Sequence, residues 1–149
     1  MSRVTMVERD MTDEEFSRAN AAFREHSLEH GNPVEVAERF GFVVLDDNRF
    51  VGCSSGLAYR EGAGGDYCSW FYLSDLLIER DYRGRGLGAA VLHRLESRVA
   101  GLGMAVIWTW TAGYDGQGFY ERHGYTVFGE QENYYVSGHS RVAMRKALG

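Results

Sequence analysis

A glycine-rich stretch that follows an apolar run constrains the fold of this chain more than any other feature. In RDYRGRGLGAA, residues 80–90, glycines stand at alternate positions, Gly84, Gly86 and Gly88. Glycine tolerates left-handed backbone but costs conformational entropy on folding. The preceding run, YCSWFYLSDLLIER, is typical of a strand, and the residues that follow predict a helix over 87–100. The chain must therefore turn sharply here from a strand into a helix.

Such a junction is suited to binding an anion. The first N–H groups of a helix have no partner within the helix and carry partial positive charge. Arg83 and Arg85 add charge beside them, and the glycines allow a ligand close to the backbone. The stretch therefore predicts a phosphate or pyrophosphate site. It is neither a nucleotide P-loop, which requires G-x-x-x-x-G-K-[ST], nor the dinucleotide fingerprint G-x-G-x-x-G.

The remaining sequence alternates between strand and helix patterns. Thr12 and Glu15 form a capping-box pattern that predicts the start of a helix. The asparagine and aspartates between two apolar runs predict a hairpin turn. The further predicted elements are a short helical turn at 34–39, hairpin strands at 40–45 and 50–59, a long strand at 67–80, a strand at 104–111, a short helix that ends at Gly124, and strands at 125–130 and 140–148.

The order of these elements predicts the fold class. A strand–helix–strand unit at the centre implies a parallel pair with a right-handed crossover, whereas the hairpin before it implies antiparallel pairing. We expect an α+β fold, close to α/β, with a mixed and mostly antiparallel central sheet flanked by helices. Residues 1–149 show no internal repeat or linker, so one domain is expected.

Composition narrows the classes of partner. The net charge of −5 argues against nucleic acid binding and mildly favours a cationic partner. Cys53 and Cys68 form no C-x-x-C motif, and no set of His, Cys, Asp and Glu has the spacing of metal ligands. The charged start lacks the apolar segment of a signal peptide, and no run is long enough to span a membrane. A cytoplasmic protein with no metal is expected.

Two motifs resemble those of a known enzyme family. Residues 83–88, RGRGLG, match the [Q/R]-x-x-G-x-[G/A] signature of the GNAT superfamily of N-acetyltransferases. Residues 119–125, FYERHGY, resemble that family's second motif, and the gap between them fits one helix and one strand. The match spans about residues 72–147. The resemblance implies that a parallel strand pair is splayed apart and that acetyl-CoA enters the gap.

The resemblance also implies roles for individual residues. Tyr120 would be the general acid that protonates the departing CoA thiolate. Gly113 and Gly116 depart from the asparagine and alanine that are common in relatives. The backbone of the glycine loop would hold the CoA pyrophosphate, and the strand edge before it would pair with the pantetheine amides. These cofactor-binding residues are Arg83, Gly84, Arg85, Gly86, Leu87, Gly88 and Ala89 in the loop, and Leu76, Leu77 and Ile78 on the strand.

An acetyl acceptor needs a base, because an amine must lose a proton before it attacks. Asp75 is the first candidate, since a carboxylate inside an apolar strand is unusual, although a strand face that meets solvent would also explain it. Glu79, Glu130 and His139 are further candidates. Tyrosines in the loops offer ring faces to a cation; these are Tyr114, Tyr134 and Tyr135.

These features together predict an acetyl-CoA-dependent N-acetyltransferase. The expected acceptor is a primary amine of a small, cationic molecule that attacks the thioester directly. Two alternatives remain open: an acetyltransferase acting on a lysine or N-terminus of a protein or peptide, and a CoA-binding module without turnover. Relatives are often dimers, so the resemblance also implies a homodimer.

Overall fold

The computed structural model describes residues 2–33 and 35–149. The chain divides into two compact units, Met1–Glu35 and Val36–Gly149. The first unit contains a helix and the second contains a six-stranded sheet. The elements are α1 (Asp13–Glu29), β1 (Glu35–Asp46), β2 (Arg49–Glu61), β3 (Trp70–Ile78), a 3₁₀ turn (Arg80–Tyr82), α2 (Leu87–Gly101), β4 (Val106–Ala112), α3 (Gln117–Arg122), β5 (Thr126–Gln131) and β6 (Arg141–Ala147).

Helix α1 begins at the predicted capping box. The Thr12 hydroxyl accepts a hydrogen bond from the Glu15 N–H at 3.2 Å, and the Glu15 carboxylate accepts one from the Thr12 N–H at 2.8 Å. These bonds satisfy donors that the first turn of a helix leaves free. The prediction of a helix start at this point is confirmed.

The short helical turn predicted at 34–39 is wrong. Val34 lies outside the described residues, and Glu35 already begins β1. Along β1 the even-numbered side chains are the less exposed ones, which is the period of a strand. Glu38 also accepts a hydrogen bond from Arg60 of β2 at 3.0 Å. This contact holds the early part of β1 against β2, and residue-by-residue helix propensity does not contain that information.

The sheet has the strand order β1-β2-β3-β4-β6-β5. Strands β3 and β4 are parallel and α2 connects them, whereas the pairs β2–β3, β4–β6 and β5–β6 are antiparallel. The predicted mixed, mostly antiparallel sheet is therefore confirmed. Strand β3 is shorter than the predicted span of 67–80, because Tyr67 forms only an isolated bridge and residues 80–82 form the 3₁₀ turn.

Helices α2 and α3 pack against one side of the sheet, called here the helix face. Leu92 and Leu95 of α2 are fully buried, and each buried leucine contributes about 2 kcal/mol. A buried hydrogen bond also links the helix to the sheet: the Ser54 hydroxyl of β2 donates to the Val91 carbonyl of α2 at 2.9 Å. The largest fully buried side chains are Phe71, Leu73, Leu92, Leu95, Ile107 and Met144.

The opposite side of the sheet is rich in aromatic rings and is called the aromatic face. Neighbouring rings on it are in contact, with the centres of Tyr72 and Trp108 4.6 Å apart. Two arginines of β6 stack on these rings. The residues of this face are Trp70, Tyr72, Trp108, Trp110, Phe128, Arg141 and Arg145.

Within residues 2–33 and 35–149, no helix combines the length and the apolar character needed to cross a bilayer. Over the same residues, no group of at least three His, Cys, Asp or Glu side chains is arranged to hold a metal ion.

Candidate active site

The candidate site is a cleft where the parallel strands β3 and β4 separate. Their backbone pairing covers only Trp70–Tyr72 of β3 and Val106–Trp108 of β4. One residue further along each strand, the Thr109 hydroxyl donates to the Leu73 carbonyl at 2.9 Å, so the strands are joined there by a side-chain hydrogen bond and not by a backbone pair. Beyond this bond a cleft of about 690 Å³ opens between the strands. This is the splayed parallel pair expected from the resemblance, and it is confirmed as part of the fold.

A β-bulge in β3 orients the residues of the cleft wall. Ser55 of β2 is opposite Asp75 but Gly56 is opposite Leu73, so Ser74 is an extra residue. One extra residue reverses the faces to which the following side chains point. Phe71 and Leu73 point to the helix face before the bulge, and Leu76, which packs against the same core, does so after it.

The bulge also requires a close approach of backbone to backbone. A β-carbon on Gly56 would lie 2.1 Å from the Tyr72 carbonyl oxygen, a distance that no other residue can accommodate. Gly56 therefore permits the local distortion of β3 that precedes the opening of the cleft.

The backbone of β3 directs polar groups of two residues, Leu76 and Ile78, toward the cleft. The Glu79 N–H donates to the Val51 carbonyl of β2 at 2.8 Å. In an antiparallel pair, every second residue of a strand bonds to the same neighbour. Leu77 therefore also bonds to β2, whereas the N–H and C=O groups of Leu76 and Ile78 point away from β2. The Ile78 carbonyl accepts a bond from the Arg83 Nε at 2.9 Å. Leu77 therefore lines the cleft without offering it backbone groups.

The glycine loop turns the chain at one end of the cleft. Gly84 and Gly86 have φ values of 78° and 76°, which disfavour residues with a side chain. Gly86 caps α2, and across residues 2–33 and 35–149 no backbone acceptor meets the N–H groups of residues 84–89. The Arg85 guanidinium donates to the Asp81 carbonyl at 3.2 Å and so braces the loop. The predicted anion site thus has free donors at the positive end of a helix.

Tyr120 of α3 lies at the inner end of the cleft. It is 7% exposed and lies near Thr109. Burial raises the pKa of Tyr120 to about 12; the nearby Thr109 hydroxyl opposes this rise and the charge of Asp115 adds to it. The phenol is therefore protonated at neutral pH and retains a proton to donate.

Steric crowding explains why glycine stands at position 116, where the family pattern commonly has alanine. Its N–H donates to the Thr111 hydroxyl at 3.1 Å. A β-carbon on Gly116 would lie 2.6 Å from that oxygen and 3.1 Å from the Tyr120 ring. The missing side chain thus makes room for the tyrosine. Gly113, the other departure, has space around it and donates its N–H to the Ser140 carbonyl at 2.9 Å.

Asp75, the first candidate for a base, lies on the wall of β3 beyond the bulge. Its side chain is 56% exposed, accepts a hydrogen bond from the Ser74 hydroxyl at 2.7 Å and lies 4.0 Å from the Arg39 guanidinium. Ser74 lines the cleft but Asp75 is not among the lining residues, so the carboxylate lies next to the cleft wall and outside it.

The other candidates for contact with an acceptor differ in whether they line the cleft. Tyr114 and Tyr135 line the cleft together with Trp110. His139 packs on Tyr114, with ring centres 4.5 Å apart, just outside the lining. The structure does not bring Glu79, Glu130 or Tyr134 into the lining.

Three residues of the site have no clear signal in the sequence. In the sequence, Thr109 is a polar residue within the apolar run MAVIWTWT, and Ser74 is one residue of a predicted strand. Arg141 also lies in a predicted strand, and nothing in the sequence indicates that it stacks on Trp110 at 4.0 Å. Each acquires its role from a partner that is distant in the sequence.

Comparison with known proteins agrees with this geometry. The family model described as the acetyltransferase (GNAT) domain matches residues 37–127. No curated protein gives a significant match.

Among solved structures, an acetyltransferase from Bacillus cereus ATCC 14579 has 20% identity and a TM-score of 0.79, covering 96% of this chain and 98% of its own. A GNAT-family acetyltransferase from Streptococcus pneumoniae has 17% identity and a TM-score of 0.64, with coverage of 74% and 67%. An aminoglycoside 6'-N-acetyltransferase complexed with coenzyme A has 21% identity and a TM-score of 0.63, with coverage of 84% and 79%. At these identities the likeness establishes the shared fold.

Proposed function

Because this chain belongs to the GNAT family of acetyltransferases, we propose that it transfers the acetyl group of acetyl-CoA to the primary amine of a small molecule. The observation that carries the proposal is the cleft between β3 and β4. Free helix N–H groups lie at one end of it and a protonated, buried Tyr120 lies at the other.

The residues of the cleft fit the chemical parts of acetyl-CoA. The unpaired N–H groups of residues 84–89 suit the pyrophosphate, whose negative charge the helix end favours. The backbone N–H and C=O of Leu76 and the N–H of Ile78 suit the pantetheine amides, which can extend the sheet as an added strand would; the Ile78 carbonyl is held by Arg83. The aminoglycoside acetyltransferase with the same fold was solved with coenzyme A, which supports this assignment.

Tyr120 is the proposed acid. The neutral amine nitrogen forms a bond to the carbonyl carbon of the thioester, the carbon–sulfur bond breaks, and Tyr120 gives its proton to the departing sulfur. A phenol whose pKa is about 12 is fully protonated before this step. The nitrogen loses one proton as the amide forms, and water carries that proton to the tyrosinate, which restores the phenol.

Asp75 is the proposed base, acting on the ammonium group directly or through water. Its exposed position beside the cleft allows a proton to leave to solvent. Direct attack is favoured over an acyl-enzyme, because neither Cys53 nor Cys68 is among the residues that line the cleft.

We expect the acceptor to be small and cationic at its amine, in line with the net charge of −5. A thiol-release assay with acetyl-CoA and a panel of aminoglycosides, polyamines and amino acids tests the proposal. The expected result is free thiol with at least one amine, and a higher melting temperature in acetyl-CoA alone.

Other outcomes separate the alternatives. A raised melting temperature without turnover of any amine would favour a CoA-binding module. Turnover of peptides but of no small amine would favour a protein acetyltransferase. If acetyl-CoA left the melting temperature unchanged and no thiol appeared, the proposal would be overturned.

A further inference from the structure

Arg141 stands at the open end of the cleft. It begins β6 and is paired in register with Ala112, which ends β4 and lines the cleft. Its side chain lies on the aromatic face, where the guanidinium carbon is 4.0 Å from the centre of the Trp110 ring. Trp110 itself lines the cleft, so the Arg141 guanidinium lies against a side chain that borders the space in which an acceptor would bind.

The guanidinium is held firmly and yet lacks a counter-charge. Nη1 donates to the Tyr134 hydroxyl at 2.8 Å, and the ring of Tyr134 lies 4.4 Å from the guanidinium carbon. Over residues 2–33 and 35–149 this is its one hydrogen bond, its Nε is buried without a partner, and no carboxylate lies within ion-pair distance. The Nη hydrogens that Tyr134 does not use remain free, and a fixed guanidinium of this kind is suited to a carboxylate, with which it forms a charge-assisted hydrogen bond.

The same contacts argue against a polycationic acceptor. Trp110 and Tyr134 already present their rings to Arg141 and cannot offer those faces to a second cation. On the β3 side of the cleft, Arg39 is 4.0 Å from Asp75 and offsets its charge. Among the residues that line the cleft, the charged side chains are one cation, Arg83, and one carboxylate, Asp115, so the lining offers no cluster of carboxylates to a polycation.

We propose that Arg141 binds a carboxylate of the acceptor, so that the substrate class is primary amines that also carry a carboxylate, such as amino acids. The inference rests on the proposed N-acetyltransferase function and makes it more specific. The amine would remain the reacting cation, while the carboxylate would fix its orientation beside the cleft.

Arg145 provides a matched control. It lies on the same strand and the same face, and its guanidinium stacks on Trp70 and Phe128 at 5.7 Å and 5.5 Å. It is paired with Trp108, at a level where β3 and β4 are still hydrogen-bonded and no cleft exists. Losing Arg145 removes the same charge and a similar stacking contact without touching the proposed carboxylate site.

The test compares each amino acid with its own carboxamide as acceptor in the thiol-release assay, with phosphoethanolamine as a further amine. The amide loses the carboxylate but keeps the amine. Its amine is also less basic and so more often neutral, which works against a preference for the acid. In the wild type we expect kcat/KM to be at least about tenfold higher for the acid, as a charge-assisted hydrogen bond provides. Arg141→Gln should abolish that preference through KM, whereas Arg145→Gln should keep it.

Equal use of acid and amide by the wild type would overturn the inference, as would a preference that survives in Arg141→Gln. Turnover of polyamines or phosphoethanolamine alone would also overturn it. If no amine is acetylated, the proposed function fails separately. The carboxylate site is then tested by the melting temperature with CoA and either N-acetylglycine or its amide. A larger rise with the acid that Arg141→Gln removes would support the site, and equal rises would refute it.

Discussion

Thr109 and Leu73 join β3 to β4 at the level where the two strands part. The Thr109 hydroxyl donates to the Leu73 carbonyl at 2.9 Å, one residue beyond the last backbone pair of the parallel ladder. The same hydroxyl is near enough to Tyr120 to oppose the rise in its pKa. One side chain therefore closes the inner end of the cleft and lies near the proposed acid.

Replacing Thr109 by valine should affect both stability and the cleft. We expect Thr109→Val to lose about 1–2 kcal/mol of unfolding free energy in urea, because the Leu73 carbonyl is left without its partner. It should also raise KM for acetyl-CoA as the strands shift. Thr126→Val, at an exposed position on β5, is the control and should change neither quantity. Similar losses in both variants would mean that the hydroxyl has no special role.

Gly86→Val should reduce acetyl-CoA binding more than folding. Valine at a φ of 76° costs about 1–2 kcal/mol of stability, and its side chain would also crowd the free N–H groups. Gly103→Val is the matched control, since Gly103 has a φ of 87° and no atom within 4 Å of an added β-carbon, as at Gly86. Both variants should lose similar unfolding free energy, but only Gly86→Val should lower acetyl-CoA affinity by about tenfold or more, as measured by calorimetry. Affinity that falls equally in both variants would remove the case for an anion site.

Tyr120→Phe tests the general acid. We expect kcat to fall by about a hundredfold or more, because proton donation to the leaving group is lost, while KM for acetyl-CoA stays nearly constant. Tyr59→Phe, on an exposed position of β2, should leave kcat unchanged. Steady-state thiol release measures both variants. A kcat for Tyr120→Phe within a factor of about two of the wild type would exclude the acid role.

The raised pKa of Tyr120 also predicts a loss of stability in alkali. The folded state keeps the proton up to a pKa of about 12, whereas the unfolded chain releases it near 10. The folded state binds more protons between these values, so stability falls as pH rises through this window, by up to about 3 kcal/mol. Burial and Glu96 also raise the pKa of Tyr125, and the charge of Tyr120 is the smallest cause of that rise, so most of this contribution is common to wild type and Tyr120→Phe. Urea unfolding at several alkaline pH values should therefore show a shallower decline for the phenylalanine variant, and parallel declines would contradict the assignment.

A buried glutamate should contribute strongly to folding. Glu96 of α2 is 6% exposed and accepts hydrogen bonds from Tyr125 at 2.7 Å and Lys146 at 3.1 Å. Glu96→Gln should cost about 3 kcal/mol, because the ammonium of Lys146 is left without its counter-charge. The control is Glu121→Gln, which changes an exposed side-chain pair with Gln117 and should cost well under about 1 kcal/mol. Chemical denaturation compares the two, and equal effects would show that the buried ion pair contributes no more than a surface contact.

Local patterns in the sequence were sufficient to predict most of the secondary structure and the glycine loop of the site. The capping box at Thr12, the polar hairpin turn at Asp47 and Asn48, and the glycines at the start of α2 each depend on backbone geometry within a few residues. Such geometry is nearly independent of the rest of the chain, and so the order of elements could be read correctly. Residues 34–39 are the exception, because there the pairing with β2 outweighs local helix propensity.

The tertiary structure alone decided how the cleft is built and what faces it. The bulge at Ser74 arises from the register between β2 and β3, and the bond from Thr109 to Leu73 joins residues 36 positions apart. The contact of Arg141 with Trp110 likewise depends on β6 lying beside β4. The sequence by itself determined that a strand turns at a glycine loop into a helix with free N–H groups, since φ preferences and end effects are local. Strand register brings distant side chains together, and that packing decided which charges and hydroxyls surround the reacting groups.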